Sequence, residues 1–213
     1  MKDRIETNET ETTEESVSDK QIVEKEPFSF PEFIYDIVEM LALTTCTVLL
    51  VFAIICRIAI VDGDSMNNTL YDGDVLIVSD LEYKPRCGDI VVFALEDADG
   101  NAKSYVKRII ATGGQVIDID FDTWEVTVDG KLLDESEYAN FASKYLVLSD
   151  YEYPLTVPEG HVFVMGDNRN NSLDSRSDDV GCVDERLIFG RVLCRVYPWN
   201  SMGIYKRLPD TEG

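Results

Sequence analysis

From Met40 to Cys56 the chain reads MLALTTCTVLLVFAIIC without one charged residue, and IAIV follows after Arg57. These are about 22 apolar residues, enough to cross a bilayer core as a helix. Apolarity on every side of a helix suits lipid or a deep protein core, not a water-facing surface. A buried core helix is the bland alternative. A cleaved leader fits poorly, because the run starts late and no small-x-small site follows it. Arg57 lies near the far end, where its stem can snorkel to the interface. The sequence therefore predicts a transmembrane helix over 36–61.

Residues 1–26 are rich in Glu, Thr and Ser and hold few large apolar groups, the composition of a disordered tail. Phe28, Phe30, Phe33 and Tyr35, interleaved with Pro27 and Pro31, suit a membrane–water interface, which makes 1–35 tail plus interfacial lead. Lys20 and Lys25 precede the span, whereas after Arg57 no basic residue appears until Lys84. That bias predicts a cytoplasmic N-terminus and residues 62–213 on the outer face.

The net charge of −22 argues against a nucleic-acid partner, because binding phosphate requires clustered Lys and Arg. A hydrophobic content of 45% supplies material for a folded core. Of the five cysteines, Cys46 and Cys56 fall in the apolar stretch, and Cys87, Cys182 and Cys194 lack metal-ligand spacing. A Cys182–Cys194 bridge is open to an extracytoplasmic domain. With a single histidine, the chain offers little to zinc, and no metal or organic cofactor is implied.

Beyond residue 61 the pattern is that of strands. GDVLIVSD, GDIVVFALE, SYVKRIIATGG, QVIDIDF, EVTVDGKLL and HVFVMGDN are short β-branched or aromatic runs between turn residues. Asp129-Gly130 is a hairpin signal. No helical period and no internal repeat stand out. The expected fold is mainly β: an antiparallel core from about 62–112 and 156–200, with a small hairpin-rich insertion over about 113–155.

Three places hold candidate chemistry. Ser65, in Gly63-Asp64-Ser65-Met66, follows the span closely; alone, a serine in a polar loop is ordinarily a turn residue. A serine hydroxyl needs a base. His161 opens the run HVFVMG, a position where histidine is usually solvated. In SYVKRII, alternation places Tyr105, Lys107 and Ile109 on one face and Val106, Arg108 and Ile110 on the other. If the first face is buried, desolvation lowers the Lys107 pKa toward neutrality and frees an amine to act as a base. A snorkelling lysine explains the local pattern equally well. The third place is the polar run Gly166-Asp167-Asn168-Arg169-Asn170-Asn171-Ser172-Leu173-Asp174-Ser175-Arg176, either a solvated loop or a folded hydrogen-bond network.

Four blocks, GDSMNNTL (63–70), GDIVVF (88–93), YVKRIIATGG (105–114) and GDNRNNSLDSR (166–176), stand in an order that resembles the type I signal peptidases, bacterial leader peptidases with a Ser–Lys dyad. The resemblance runs from the span to about Tyr197. It implies a membrane-bound serine endopeptidase that removes signal peptides from secreted preproteins after a small-x-small site. In that family pattern Ser65 is the nucleophile and its N–H an oxyanion donor, and Lys107 is the general base. Ser172 orients the lysine amine. Asp174 and Arg176 form a structural ion pair with Asp167 in support. Met66, Leu70 and Tyr105 line shallow apolar pockets.

Two departures matter. Asn68 stands where many members have proline. Gly63 stands where some place a serine whose hydroxyl is the second oxyanion donor, a group worth on the order of 3 kcal/mol. Three other readings compete: a self-cleaving Ser–Lys protease, which would carry a DNA-binding module; the histidine-using signalase of the endoplasmic reticulum, whose base is not the lysine of YVKR; and a membrane-tethered β domain that only binds. Only the last should keep its function with Ser65 changed to alanine.

Overall fold

The computed structural model describes residues 29–205, apart from 82, 97–99 and 142–148, so the reading of a disordered tail over 1–26 lies outside the described residues. The chain divides into two units, Met1–Thr45 and Cys46–Gly213. Helix α1 spans Phe30–Ile55, and its Phe30–Ala53 stretch has a mean hydropathy of 1.9, long and apolar enough to cross a membrane. Leu41, Leu43, Leu49 and Phe52 are all exposed on it.

The helix begins and ends earlier than the predicted 36–61. Its last turn gives way at Cys56 to strand β1 (Cys56–Ile60), which pairs antiparallel with β2 (Val75–Ser79) from Cys56↔Ser79 to Ile60↔Val75. A short apolar, β-branched segment is compatible with helix or strand, and here the ladder to β2 decides. Arg57, expected at the lipid interface, bonds Asp80 at 3.3 Å.

The remaining strands are β3 (Ile90–Glu96), β4 (Ala102–Thr112), β5 (Val116–Ile119), β6 (Val126–Val128), β7 (Lys131–Leu132), β8 (Leu155–Thr156), β9 (His161–Met165), β10 (Val183–Asp184), β11 (Ile188–Tyr197) and β12 (Gly203–Ile204). All their pairings are antiparallel. The larger sheet has the order β1-β2-β11-β3-β4-β9-β10, with β12 also on β11. The smaller sheet, β7-β6-β5-β8, arises entirely from chain between β4 and β9. Its β6–β7 turn is made by Asp129 and Gly130, both at positive φ, the hairpin geometry their pairing signals.

The larger sheet is buried on both faces around β3, which explains the unbroken IVVF run. Ile90 and Val92 join Met66, Leu70, Leu76, Val78 and Val192 in one cluster. Val91 and Phe93 join Ile109, Val162, Val164 and Val183 in another. A third cluster packs Ile117, Ile119, Val126 and Val128 of the smaller sheet against Ile110, Phe163 and Met165.

Strand β11 joins β2 to β3 at the centre of the larger sheet, although the strand pattern does not single it out. Gly190, Arg191 and Arg195 interrupt its alternation, and register shifts fall between Ile188/Gly190, Val192/Cys194 and Arg195/Tyr197. Each bulge inverts the in–out phase, so a period of two cannot be followed through it. Cys182 and Cys194 are free thiols, and the bridge left open by the sequence does not form.

Candidate active site

Residues 61–74 make a compact turn region ahead of β2. Val61 N–H donates to Asp74 O at 2.9 Å and Gly73 N–H to Val61 O at 3.0 Å, closing its base. Within it Leu70 N–H bonds Met66 O at 2.9 Å, and the buried Met66 and Leu70 side chains anchor the turn to the core. Leu70 is wholly enclosed in that cluster, so it packs the turn and does not line a pocket as expected. Ser65 is thereby presented outward from a turn whose next residue is fixed inside.

Lys107 reaches Ser65 from β4, where it stands opposite Val91 of β3. Its Nζ and the Ser65 Oγ are hydrogen-bonded at 2.6 Å, and Nζ also donates to Val106 O at 3.2 Å. Lys107 is only 3% exposed. Burial pulls its pKa down to about 8, partly opposed by Asp174 and Asp167 and aided by Lys103 and Arg176. An ammonium in this setting loses hydration that nothing fully restores, so the neutral amine gains ground.

The depressed value also has a stability cost. With the folded value below the unfolded one, the cost is complete at pH below about 8 and disappears above the ordinary lysine range. Lys107→Met is therefore expected to stabilise the chain at pH 7 by on the order of 2 kcal/mol, roughly 5 °C in Tm, with the gain shrinking toward pH 10. Thermal unfolding in detergent at the two pH values checks this, and an unchanged Tm at pH 7 contradicts it.

The polar run 166–176 is a folded network. Asn168 N–H donates to Ser65 O at 3.0 Å and its Nδ2 to Asp64 O at 3.0 Å, so this loop grips the serine's own backbone. Asp174 and Arg176 form the expected ion pair, bidentate at 2.8 and 2.8 Å and fully buried. Despite desolvation, Arg176 and the Gly166 N–H hold the Asp174 carboxyl below the usual carboxylate range, with a smaller contribution from the Ser172 hydroxyl.

Two expectations are corrected here. Asp167 does not support that pair but forms its own with Arg108, at 2.8 and 2.7 Å, while also accepting from Thr69 Oγ1 at 2.5 Å. Arg108 is free to reach it because alternation turns it away from Lys107, to the opposite face of β4. Ser172 makes no hydrogen bond to Lys107; its buried Oγ has no partner of ordinary hydrogen-bond geometry and packs over Gly166. At Gly63, which lacks the serine hydroxyl, the backbone N–H is committed to Asp72 Oδ1 at 2.9 Å, so this position supplies no second oxyanion donor through its backbone either. Gly63 sits at φ +90°, a region that would strain a serine.

His161 faces Asp184 across the β9–β10 ladder, with its ring Nδ1 3.1 Å from Glu159 O, and plays no part at Ser65. Beside Ser65 and Lys107 lies a cleft of about 620 Å³, walled by Ile58 to Val61, Met66, Val78, Val92, Tyr105, Val106, Leu173 and Phe189. The Tyr105 ring is stacked on Phe93 at 5.6 Å, which fixes that wall.

Asn168, Arg108 and Gly166 were inside the quoted blocks but carried no assigned role. Their neighbours in space are distant in sequence, as in the 104 positions between Asn168 and Asp64.

A serine hydroxyl bonded to a dry amine at the side of an apolar cleft is the arrangement of a lysine-assisted serine hydrolase. The comparisons agree with that class. The sequence matches the family described as signal peptidase, peptidase S26, over residues 34–197. A probable signal peptidase I-1 of Synechocystis sp. is 34% identical over 190 residues, 84% of this chain and 91% of that protein. A signal peptidase I of Bacillus licheniformis is 33% identical over 180 residues, 79% of this chain and 91% of its own. The signal peptidase I S of Bacillus subtilis is 35% identical over 151 residues, 67% and 78% of the two chains. The chain belongs to the signal peptidase, peptidase S26 family, and it is an enzyme of the signal peptidase I kind.

Proposed function

We propose that this chain removes signal peptides from secreted preproteins with Ser65 as nucleophile and Lys107 as general base. The observation that carries the reading is the 2.6 Å contact between Lys107 Nζ and Ser65 Oγ in a site that lowers the lysine pKa to about 8. The neutral amine takes the hydroxyl proton as Oγ attacks the scissile carbonyl. The Ser65 N–H, which donates to no group among the described residues, stabilises the oxyanion. The resulting ammonium protonates the leaving amine, and the acyl-enzyme forms on Oγ. Lys107 then activates water for hydrolysis and regains its resting state.

The apolar cleft suits an extended peptide with small side chains, and β1 offers it a sheet edge. Helix α1 serves as the membrane anchor, with the N-terminus cytoplasmic and the catalytic domain, residues 62–213 with β1 added, on the outer face. Tethering confines enzyme and substrate to one surface and raises their effective concentration. The partners are preproteins and the bilayer; the charge of −22 disfavours nucleic acid.

The test is cleavage of a preprotein by the full chain in detergent, with the cut mapped by mass spectrometry. A single cut after a small-x-small site is expected, and no cut by a folded enzyme opposes the reading. Because the working form of Lys107 is unprotonated, kcat/KM is expected to rise with pH along a limb of unit slope centred at about 8. At two pH units below the midpoint the rate should be roughly a hundredfold under its plateau. A flat profile from pH 6 to 9 contradicts a lysine base.

A further inference from the structure

Arg169 is completely buried, yet proton transfer between Ser65 and Lys107 makes no use of it. Its Nη1 and Nη2 donate to both oxygens of Glu135, at 2.5 and 2.6 Å, and its Nε donates to Gly166 O at 3.2 Å. Glu135 lies 34 positions earlier, in the chain that follows β7 of the smaller sheet. It opens a turn in which the Tyr138 and Ala139 N–H groups donate to Glu135 O at 3.1 and 2.9 Å.

Tyr138 ties two arginines together. Its hydroxyl donates to Glu135 Oε1 at 3.1 Å, and the Arg108 guanidinium lies 4.1 Å from its ring centroid. Burial and the Glu135 charge push the phenol well above its ordinary value, so it stays protonated and keeps donating. Two residues on, Asn140 forms a parallel bridge with Asn168. Asn140 N–H bonds Asp167 O at 2.7 Å, and Arg169 N–H bonds Asn140 O at 2.9 Å. Asn168 is the residue that grips the Ser65 backbone.

We infer that Glu135 is a positioning residue for catalysis: through Arg169 the insertion holds the loop that sets Ser65 against Lys107. The inference rests on the reading of Ser65 as nucleophile. A buried guanidinium deprived of its carboxylate is left uncompensated, and the loop must shift to find it a partner. A displacement of about 1 Å at a reacting atom can cost a hundredfold in rate. Most of the cleft wall comes from β1, the 61–66 turn and β4, and only Asn171 and Leu173 belong to the displaced loop, so kcat falls far more than KM changes.

Glu135→Gln, which keeps the shape and drops the charge, is tested in the full detergent-solubilised chain against a preprotein. The expected result is a kcat about 10- to 100-fold lower, KM within about threefold, and circular dichroism showing a folded chain. Tyr138→Phe, which removes one hydrogen bond and keeps the ring, is expected to lower kcat about three- to tenfold. A folded Glu135→Gln chain with wild-type kcat overturns the inference, as does a loss that only tracks the unfolded fraction. If Glu135→Gln does not fold, Tyr138→Phe decides, and wild-type kcat there overturns it. An active Ser65→Ala chain would instead remove the nucleophile reading itself, so the two failures are separable.

Discussion

Lys107→Ala is expected to lower preprotein cleavage by roughly four to six orders of magnitude, and Ser65→Ala by as much. Residues that act as a unit are not additive, so the double variant should be no slower than either single one. The reason is local. Alanine at 107 removes the group hydrogen-bonded to the Ser65 hydroxyl, and the buried carboxylates of the neighbouring loop are committed elsewhere, Asp167 to Arg108 and Asp174 to Arg176. Lys107→Arg should be equally silent, because a guanidinium stays protonated throughout the working range. Cleavage followed by gel and mass spectrometry over days measures the residual rate. Residual activity within a hundredfold of wild type in Lys107→Ala would show that another group takes the proton.

Gly166→Ala is expected to be the most damaging methyl addition at the site. A Cβ there would stand 2.2 Å from Ser172 Oγ, 2.6 Å from Ser172 Cβ and 2.5 Å from Ser65 O. Gly166 cannot retreat, since its N–H is bonded to Asp174 Oδ2 at 2.9 Å and its carbonyl accepts from Arg169 Nε at 3.2 Å. The expected outcome is a destabilisation of about 3 kcal/mol and a loss of at least ~1,000-fold in kcat/KM. Adding Ser172→Gly should not restore activity, because the clash with the Ser65 carbonyl persists. Thermal unfolding together with cleavage assays separates the two effects. A Gly166→Ala chain with wild-type Tm and rate would mean that the loop does not pack against the serine as closely as described.

Much of this site is legible in the sequence because its chemistry is concentrated in short blocks. The Lys107 face of β4 follows from alternation in SYVKRII, and the 2.6 Å contact with Ser65 joins two blocks that sequence reading can only set side by side. What stays hidden is partner choice across long separations. Asp167 could have served Arg176, nine positions on in the same polar run, but Arg108, pointing to the opposite face of β4 from Lys107, takes it. Ser172 differs for a similar reason: its hydroxyl is set by the close approach of Gly166, which no residue spacing reveals.

The fold divides along the same line. Strands flanked by turn residues and free of bulges, such as β3 and β9, announce themselves. Strand β11 does not, since its register shifts scramble the alternation it would need. Cys56–Ile60 reads as the end of an apolar span, and only the ladder to β2, a tertiary contact, makes it a strand. Glu135 gave no signal at all, as an acidic residue in an acidic chain looks solvated until Arg169 is found against it.

The most direct measurement is the titration of Lys107 itself, by NMR of its side-chain ε-methylene in the folded, detergent-solubilised chain, assigned by comparison with Lys107→Met. An uncharged amine available to Ser65 requires a midpoint at about 8. A midpoint for Lys107 at the ordinary lysine value of about 10.4 would contradict the proposal that it is the base.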